Sequence, residues 1–207
     1  IKKDLEMMKE LFKNQDFKPD FIKIYPCLVF PNTKLHKDWK DGKFKPLTTE
    51  KAAKLISEIK KHIPKYCRIM RVQRDVPSYL SEAGVDRTNL RQYVKANCQC
   101  IRCRQPKADY DFSKAKVKIN VQEYEASNGK EFFISADDKD TILGYARLRF
   151  PSKDAFRKEI TNKTALIREL HVYSPNVVSI GEDPSSTEVQ HKGLGKELMK
   201  KAEAIAK

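Results

Sequence analysis

Two glycines, Gly193 and Gly195, stand directly ahead of a segment whose apolar positions Leu198, Met199, Ala202 and Ile205 follow helical spacing. They therefore fall at a helix N-terminus. Unpaired backbone N–H groups and the positive end of the helix dipole attract an anion there, and a residue without a side chain lets a phosphate come close. Lys192 and Lys196 add charge, and Gln190, His191 and Leu194 complete the loop. The pattern Gln-x-x-Gly-x-Gly lacks the Gly-Lys-Ser/Thr ending of a P-loop, and the strands ahead of it read as antiparallel, which argues against a dinucleotide fold. Alone, a Gly-x-Gly pair is more often an ordinary turn than a site.

Upstream, Ile167 to Tyr173 reads as a strand. Alternation sends Glu169, His171 and Tyr173 to one face and Arg168, Leu170 and Val172 to the other. A carboxylate, an imidazole and a phenol on one face could supply acid–base chemistry. Alternation alone favours a plainer reading, in which His171 and Tyr173 are half-buried packing residues and Glu169 pairs with a neighbouring Lys or Arg.

Cys98-x-Cys100-x-x-Cys103 puts three soft ligands within six residues, enough to share one tetrahedral metal if the loop turns back on itself. His36, Cys27, Cys67 or solvent could supply the fourth position. Two readings stay open, a structural zinc and free or redox-active thiols. An iron–sulfur cluster at this position is disfavoured because Arg102 and Arg104 interleave with the cysteines. An odd total of five cysteines, three of them crowded together, suits an intracellular metal site better than a secreted disulfide framework.

Lys and Arg number 42 against 28 Asp and Glu, a formal charge of +14, and a field of that sign attracts a polyanion. The alternative is a heavily charged surface rich in Lys and Glu. Arg68, Arg71 and Arg74 recur every third residue, followed by Arg87, Arg91, Lys95, Arg102, Arg104 and Lys107. Arginine forks suit phosphates, and the interleaved Tyr79 and Tyr93 could stack on unpaired bases. For any single residue a solvated charged face is the default, with Tyr93 in a helix core. No run of about 18 apolar residues exists, so no membrane span is expected. No signal peptide is visible, and the first residue is Ile1, so we expect an internal piece of a longer cytoplasmic protein.

The elements that must position these residues fall into two styles. Residues 2–14, with Leu5, Met8, Leu11 and Phe12 on one side, read as a helix, FIKIYPCLVF as a strand, Thr48 to about His62 as a capped helix and CRIMRVQRD as another strand. That rhythm is βα repetition, part of a parallel sheet or barrel. From about Lys116 the pattern turns antiparallel: VKINVQEYEA, a turn at Ser127-Asn128-Gly129, EFFISAD, TILGYARLRF and TALIRELHVY, then the glycine loop and the final helix.

With those strands in front of it, the glycine loop resembles the Gln/Arg-x-x-Gly-x-Gly/Ala pyrophosphate loop of GNAT acetyltransferases. RELHVY and QHKGLG, with IKIYPCLVF, WKDGKFKPLT, RIMRVQRDVP and CQCIRC in order upstream, resemble the Elongator catalytic-subunit family of tRNA wobble-uridine acetyltransferases over nearly the whole chain. The resemblance implies a mixed α/β and α+β chain. Residues 1–95 would be the C-terminal part of a radical-SAM, TIM-like βα barrel, residues 96–115 a zinc-binding junction and residues 116–207 a GNAT domain truncated at its C-terminus.

It further implies acetyl-CoA as acetyl donor, and S-adenosylmethionine with a 4Fe-4S cluster in the full-length enzyme. The substrate would be the anticodon stem-loop of tRNA, gaining a carboxymethyl-type group at uridine 34. The CoA pantetheine would lie along Leu170, His171 and Val172, and its pyrophosphate against Gln190, His191, Lys192, Gly193, Leu194, Gly195 and Lys196. Lys23, Tyr25 and Gln73 would lie near the radical cofactor. The radical-SAM spacing Cys-x-x-x-Cys-x-x-Cys is absent, so radical chemistry is not expected of this polypeptide alone. A homodimer is a further option, and the alternatives are a non-catalytic tRNA-binding or assembly module and a protein lysine acetyltransferase.

Overall fold

The computed structural model describes residues 1–174 and 193–207, apart from the side chain of Ser78. These form two compact units, Ile1–Lys13 with Pro19–Arg102, and Asn14–Lys18 with Cys103–Lys207.

In the first unit, α1 (Lys2–Lys13) carries Asp4 in its first turn and Lys13 in its last, each at the helix end whose partial charge it complements. The expected strand from Phe21 to Phe30 is cut short. β1 covers Phe21–Ile24 only; Pro26 has no N–H to give a ladder, and Val29 instead forms an isolated bridge with Ala83. A short helix absent from the sequence reading, α2 (Lys34–Lys40), starts where the Thr33 side chain accepts from the His36 N–H. The Thr48 hydroxyl caps α3 (Thr49–Lys60), which buries Ala52, Ala53, Ile56 and Ile59 along one face. β2 (Arg68–Val72) then pairs parallel with β1, placing Arg71 opposite Lys23. Among the described residues this parallel pair is the whole of the βα sheet. One-turn helices α4 (Leu90–Tyr93) and α5 (Ile101–Arg104) follow.

The second unit is a four-stranded antiparallel sheet in the order β3 (Lys118–Ala126), β4 (Gly129–Asp138), β5 (Thr141–Phe150), β6 (Leu166–Val172). Ser127 and Asn128, both at positive φ (46° and 58°), make the two-residue turn into β4. The turn is held by the Ser127 N–H donating to the Gln15 carbonyl at 2.6 Å and by the Ser127 hydroxyl reaching the Asp16 carbonyl. α6 (Leu194–Ala206) lays Leu194, Leu198 and Ala202 on Phe132, Ile134, Ala136, Leu143, Ala146 and Leu148.

The segment before β3 is fixed to the sheet by polar groups. Arg104 reaches Asp137 at 2.7 Å, Ser135 and Asn120 donate to the other oxygen of the same carboxylate, and the Tyr110 hydroxyl donates to Asp138 at 2.6 Å. Burial, with that hydrogen bond, pushes the Tyr110 phenol well above its ordinary pKa.

Strict alternation fails at one position of β6. Arg147 pairs with Glu169 but Leu148 pairs with Ile167, so Arg168 is the extra residue of a bulge. It was expected beside Leu170 and Val172. Its guanidinium instead reaches Glu131, whose other oxygen takes Arg149, each at 2.7 Å.

Candidate functional site

The glycine pair sits where the sequence placed it. Gly193 is the N-cap of α6 at φ +86°, a left-handed conformation that L side chains rarely adopt. A Cβ built there would meet no described residue within 4 Å. Gly195 lies in the first turn, and its added Cβ would touch only the Val172 side chain at 3.6 Å, an ordinary contact. Among the described residues nothing requires a glycine at 195; a molecule lying against the turn would supply the reason. Lys196 is exposed one residue on. Gln190, His191 and Lys192 lie outside the described residues.

Val172, which abuts this turn, ends β6, and β6 is the outer strand of the sheet. β6 has no second neighbouring strand among the described residues, and the backbone groups of Leu170 and Val172 are the ones that face its outer side. An outer strand edge running into a glycine-capped helix N-terminus suits an extended amide-bearing chain that ends in phosphates.

On the sheet face opposite α6, Glu169, His171 and Tyr173 do share one side, joined by two residues the sequence reading missed. The Tyr145 hydroxyl donates to Glu169 Oε1 at 2.5 Å, and Arg147 Nε donates to Oε2 at 2.8 Å. Arg147 is only 1% exposed and lies over the Phe133 and Tyr145 rings. The plainer reading thus holds for two of the three: Glu169 is ion-paired and Tyr173 is buried. His171 is the exposed one, stacked on Tyr145 at 5.8 Å between ring centroids and edge-on to Tyr173 at 4.4 Å. Burial first, and then the bond to Glu169, raises the Tyr145 pKa far above the usual phenol value, so this hydroxyl stays a donor. An arginine in the middle of the apolar run of TILGYARLRF was the available signal, because a buried guanidinium demands a partner.

The Sγ atoms of Cys98, Cys100 and Cys103 lie within 4.8 Å of one another. His36, Cys27 and Cys67 are outside that group, and His36 Nε2 is bonded to Glu82 at 2.9 Å.

The basic residues divide. Arg71, Arg91 and Arg102 line one cavity of about 390 Å³ at the end of β2, together with Gln73 and Asp75. Arg71 pairs with Asp75, and Arg91 donates to the Ile69 carbonyl. Arg74, Arg87 and Lys95 are exposed outside that cavity. Arg104 is a correction: it is 7% exposed and spent on Asp137, so it is not part of a basic surface. Tyr79 is 83% exposed, and Tyr93, at 49%, is not a core residue. Gln73 is buried just past β2 at φ +81°, its Oε1 accepting from the Leu90 N–H. Lys23 and Tyr25 line a largely apolar cavity of about 660 Å³ with residues of α1 and α3.

The signature of the acetyltransferase (GNAT) family matches residues 97–207, more than half of the chain, and that of the radical-SAM C-terminal domain matches residues 19–100. The chain belongs to the GNAT acetyltransferase family. It is 42% identical to the tRNA uridine(34) acetyltransferase of Methanocaldococcus infernus over 100% of its own length and 41% of the relative's. It is 38% identical to Elongator complex protein 3 of Saccharomyces cerevisiae, over 100% of its own length and 39% of that protein. A solved structure, the archaeal Methanocaldococcus infernus Elp3 with an N-terminal deletion (1–46), matches with a TM-score of 0.87 at 41% identity, covering 98% of this chain and 50% of that one. The likeness read from the motifs holds along the whole chain, which spans about two fifths of the length of the curated relatives named here.

These residues fit acetyl-CoA at the β6 edge and α6 N-terminus. They do not fit a radical-SAM cluster, since none of the five cysteines has its spacing.

Proposed function

We propose that this chain is the acetyl-CoA- and RNA-binding part of an enzyme that installs a carboxymethyl-type group at the wobble uridine, position 34, of tRNA. The observation that carries this reading is the meeting of an outer strand edge with the glycine-capped helix end, in a chain alike throughout to tRNA uridine(34) acetyltransferases. Bound acetyl-CoA supplies an activated acetyl group. Along Leu170, His171 and Val172 the outward backbone groups hold its pantetheine, and the segment from Gln190 to Lys196 holds its pyrophosphate.

Glu169 accepts from Tyr145 and Arg147 on both carboxylate oxygens, so it orients its neighbours. Proton exchange at the acyl group falls to exposed His171, with the Tyr173 phenol at its ring edge as the second donor.

Cys98, Cys100 and Cys103 bind a structural zinc. Arg71, Arg91 and Arg102 contact phosphates of the anticodon stem-loop, with Arg74, Arg87 and Lys95 adding to the field. Lys23, Tyr25 and Gln73 belong to the barrel part of the enzyme, where S-adenosylmethionine and its 4Fe-4S cluster supply radical chemistry; no step through that cluster uses a residue described here.

Acetyl-CoA hydrolysis measured with and without tRNA tests the reading. Stimulation by tRNA supports it. Hydrolysis indifferent to tRNA, with acetyl transfer to lysine peptides, favours a protein acetyltransferase, and RNA binding without turnover favours an assembly module.

A further inference from the structure

The loop joining β5 to β6, residues 151–165, is far longer than the two to five residues that suffice for adjacent antiparallel strands. It is shaped by turns. The Ile160 N–H donates to the Arg157 carbonyl and the Thr164 N–H to the Thr161 carbonyl, each at 3.1 Å, and the Thr161 N–H donates to the Thr164 hydroxyl at 2.9 Å. Its base is tied down where Ala165 packs against the core of the sheet. At its tip Phe156 is fully exposed, at 104%. Lys153, Arg157, Lys158 and Lys163 surround it in sequence, all exposed, and none makes an ion pair with a described residue. Only Asp154 and Glu159 oppose them.

A phenyl ring held in water on a shaped loop gains by covering either of its faces. Four cations near it in sequence, without an ion-pair partner among the described residues, select an anionic partner, in a chain that is already at +14. A partner that is both polyanionic and rich in flat apolar faces is a nucleic acid with unpaired bases; a duplex hides its base faces within the stack.

We propose that Phe156 is a stacking platform for an unpaired base of single-stranded RNA, with Arg157, Lys158, Lys153 and Lys163 tracking the flanking phosphates. This rests on the proposed RNA partner and not on the acetyl-transfer reading. It adds an RNA contact that the basic residues at the end of β2 do not account for.

The test is binding of a short single-stranded RNA containing 2-aminopurine to the full chain, followed by the quenching of that base over a range of salt concentrations. Phe156→Ala should weaken binding about tenfold and abolish quenching without changing the salt dependence. Phe156→Trp should restore both. Arg157→Gln with Lys158→Gln should flatten the salt slope by about 0.7 per lost phosphate contact. Binding of a matched duplex should be indifferent to Phe156→Ala.

Single-strand affinity unchanged in Phe156→Ala overturns the proposal while leaving the RNA reading intact. So does a loss of affinity that comes with a lowered melting temperature, since Phe156 would then be a packing residue. A chain that binds no RNA at all removes both this proposal and the RNA partner.

Discussion

The Tyr145 hydroxyl reaches Glu169 diagonally across neighbouring strands at 2.5 Å, although the register partner of Glu169 is Arg147 and that of Tyr145 is His171. One ring therefore bonds the carboxylate and stacks on the imidazole. Tyr145→Phe keeps the ring and deletes the bond. It should leave acetyl-CoA affinity unchanged and lower turnover about tenfold. Arg147→Met should instead destabilise the fold by about 2–3 kcal/mol, since it strands a partly buried carboxylate. Parallel losses of stability in both variants would make Tyr145 merely structural.

The two raised phenols make stability depend on pH at the alkaline end. Tyr110 and Tyr145 bind their protons more tightly folded than unfolded, so the stability they contribute is complete below the ordinary phenol pKa of about 10 and is lost as pH rises above it. Absorbance titration of the wild type beside Tyr110→Phe and Tyr145→Phe should show that these two phenols stay protonated until the chain unfolds. Ionisation of either one in the folded state near the ordinary phenol range would refute this.

The cysteine cluster makes its own prediction. The purified chain should carry about one zinc, and chelation or Cys100→Ser should lower the melting temperature by several degrees, because a site that forms only on folding returns its binding energy as stability. Cys100 is fully buried, so Cys98→Ser is the cleaner second variant. A chain without metal, indifferent to chelator, would leave free thiols.

At the opposite sheet face, Leu198 is fully buried between α6 and the sheet. Leu198→Ala should cost about 3 kcal/mol, read by denaturant unfolding. A loss under 1 kcal/mol would mean that α6 packs more loosely than described.

How much of this was legible follows from how local each signal was. Hairpins, strands and the glycine-capped helix declare themselves through alternation, turn residues and helical spacing. So did α3, through Thr48 and its apolar face. What failed needed partners distant in sequence. Arg104 read as a surface cation until Asp137 claimed it, 33 residues on. The bulge at Arg168 depends on Glu131, and the network around Glu169 depends on a strand 22 to 24 residues earlier. α2 hid in a polar stretch because its single cap, Thr33, stands between Pro31 and Gly42 without a long apolar face behind it.

Calorimetric titration of the chain with acetyl-CoA, beside a variant carrying Gly193→Glu and Gly195→Glu, tests the central claim most directly. Binding by the parent that disappears in the variant, while the variant keeps its fold by circular dichroism, is the result expected if β6 and the head of α6 cradle the cofactor. Equal affinity in the two chains, or no binding by the parent, would contradict it and leave the glycines as no more than a helix start.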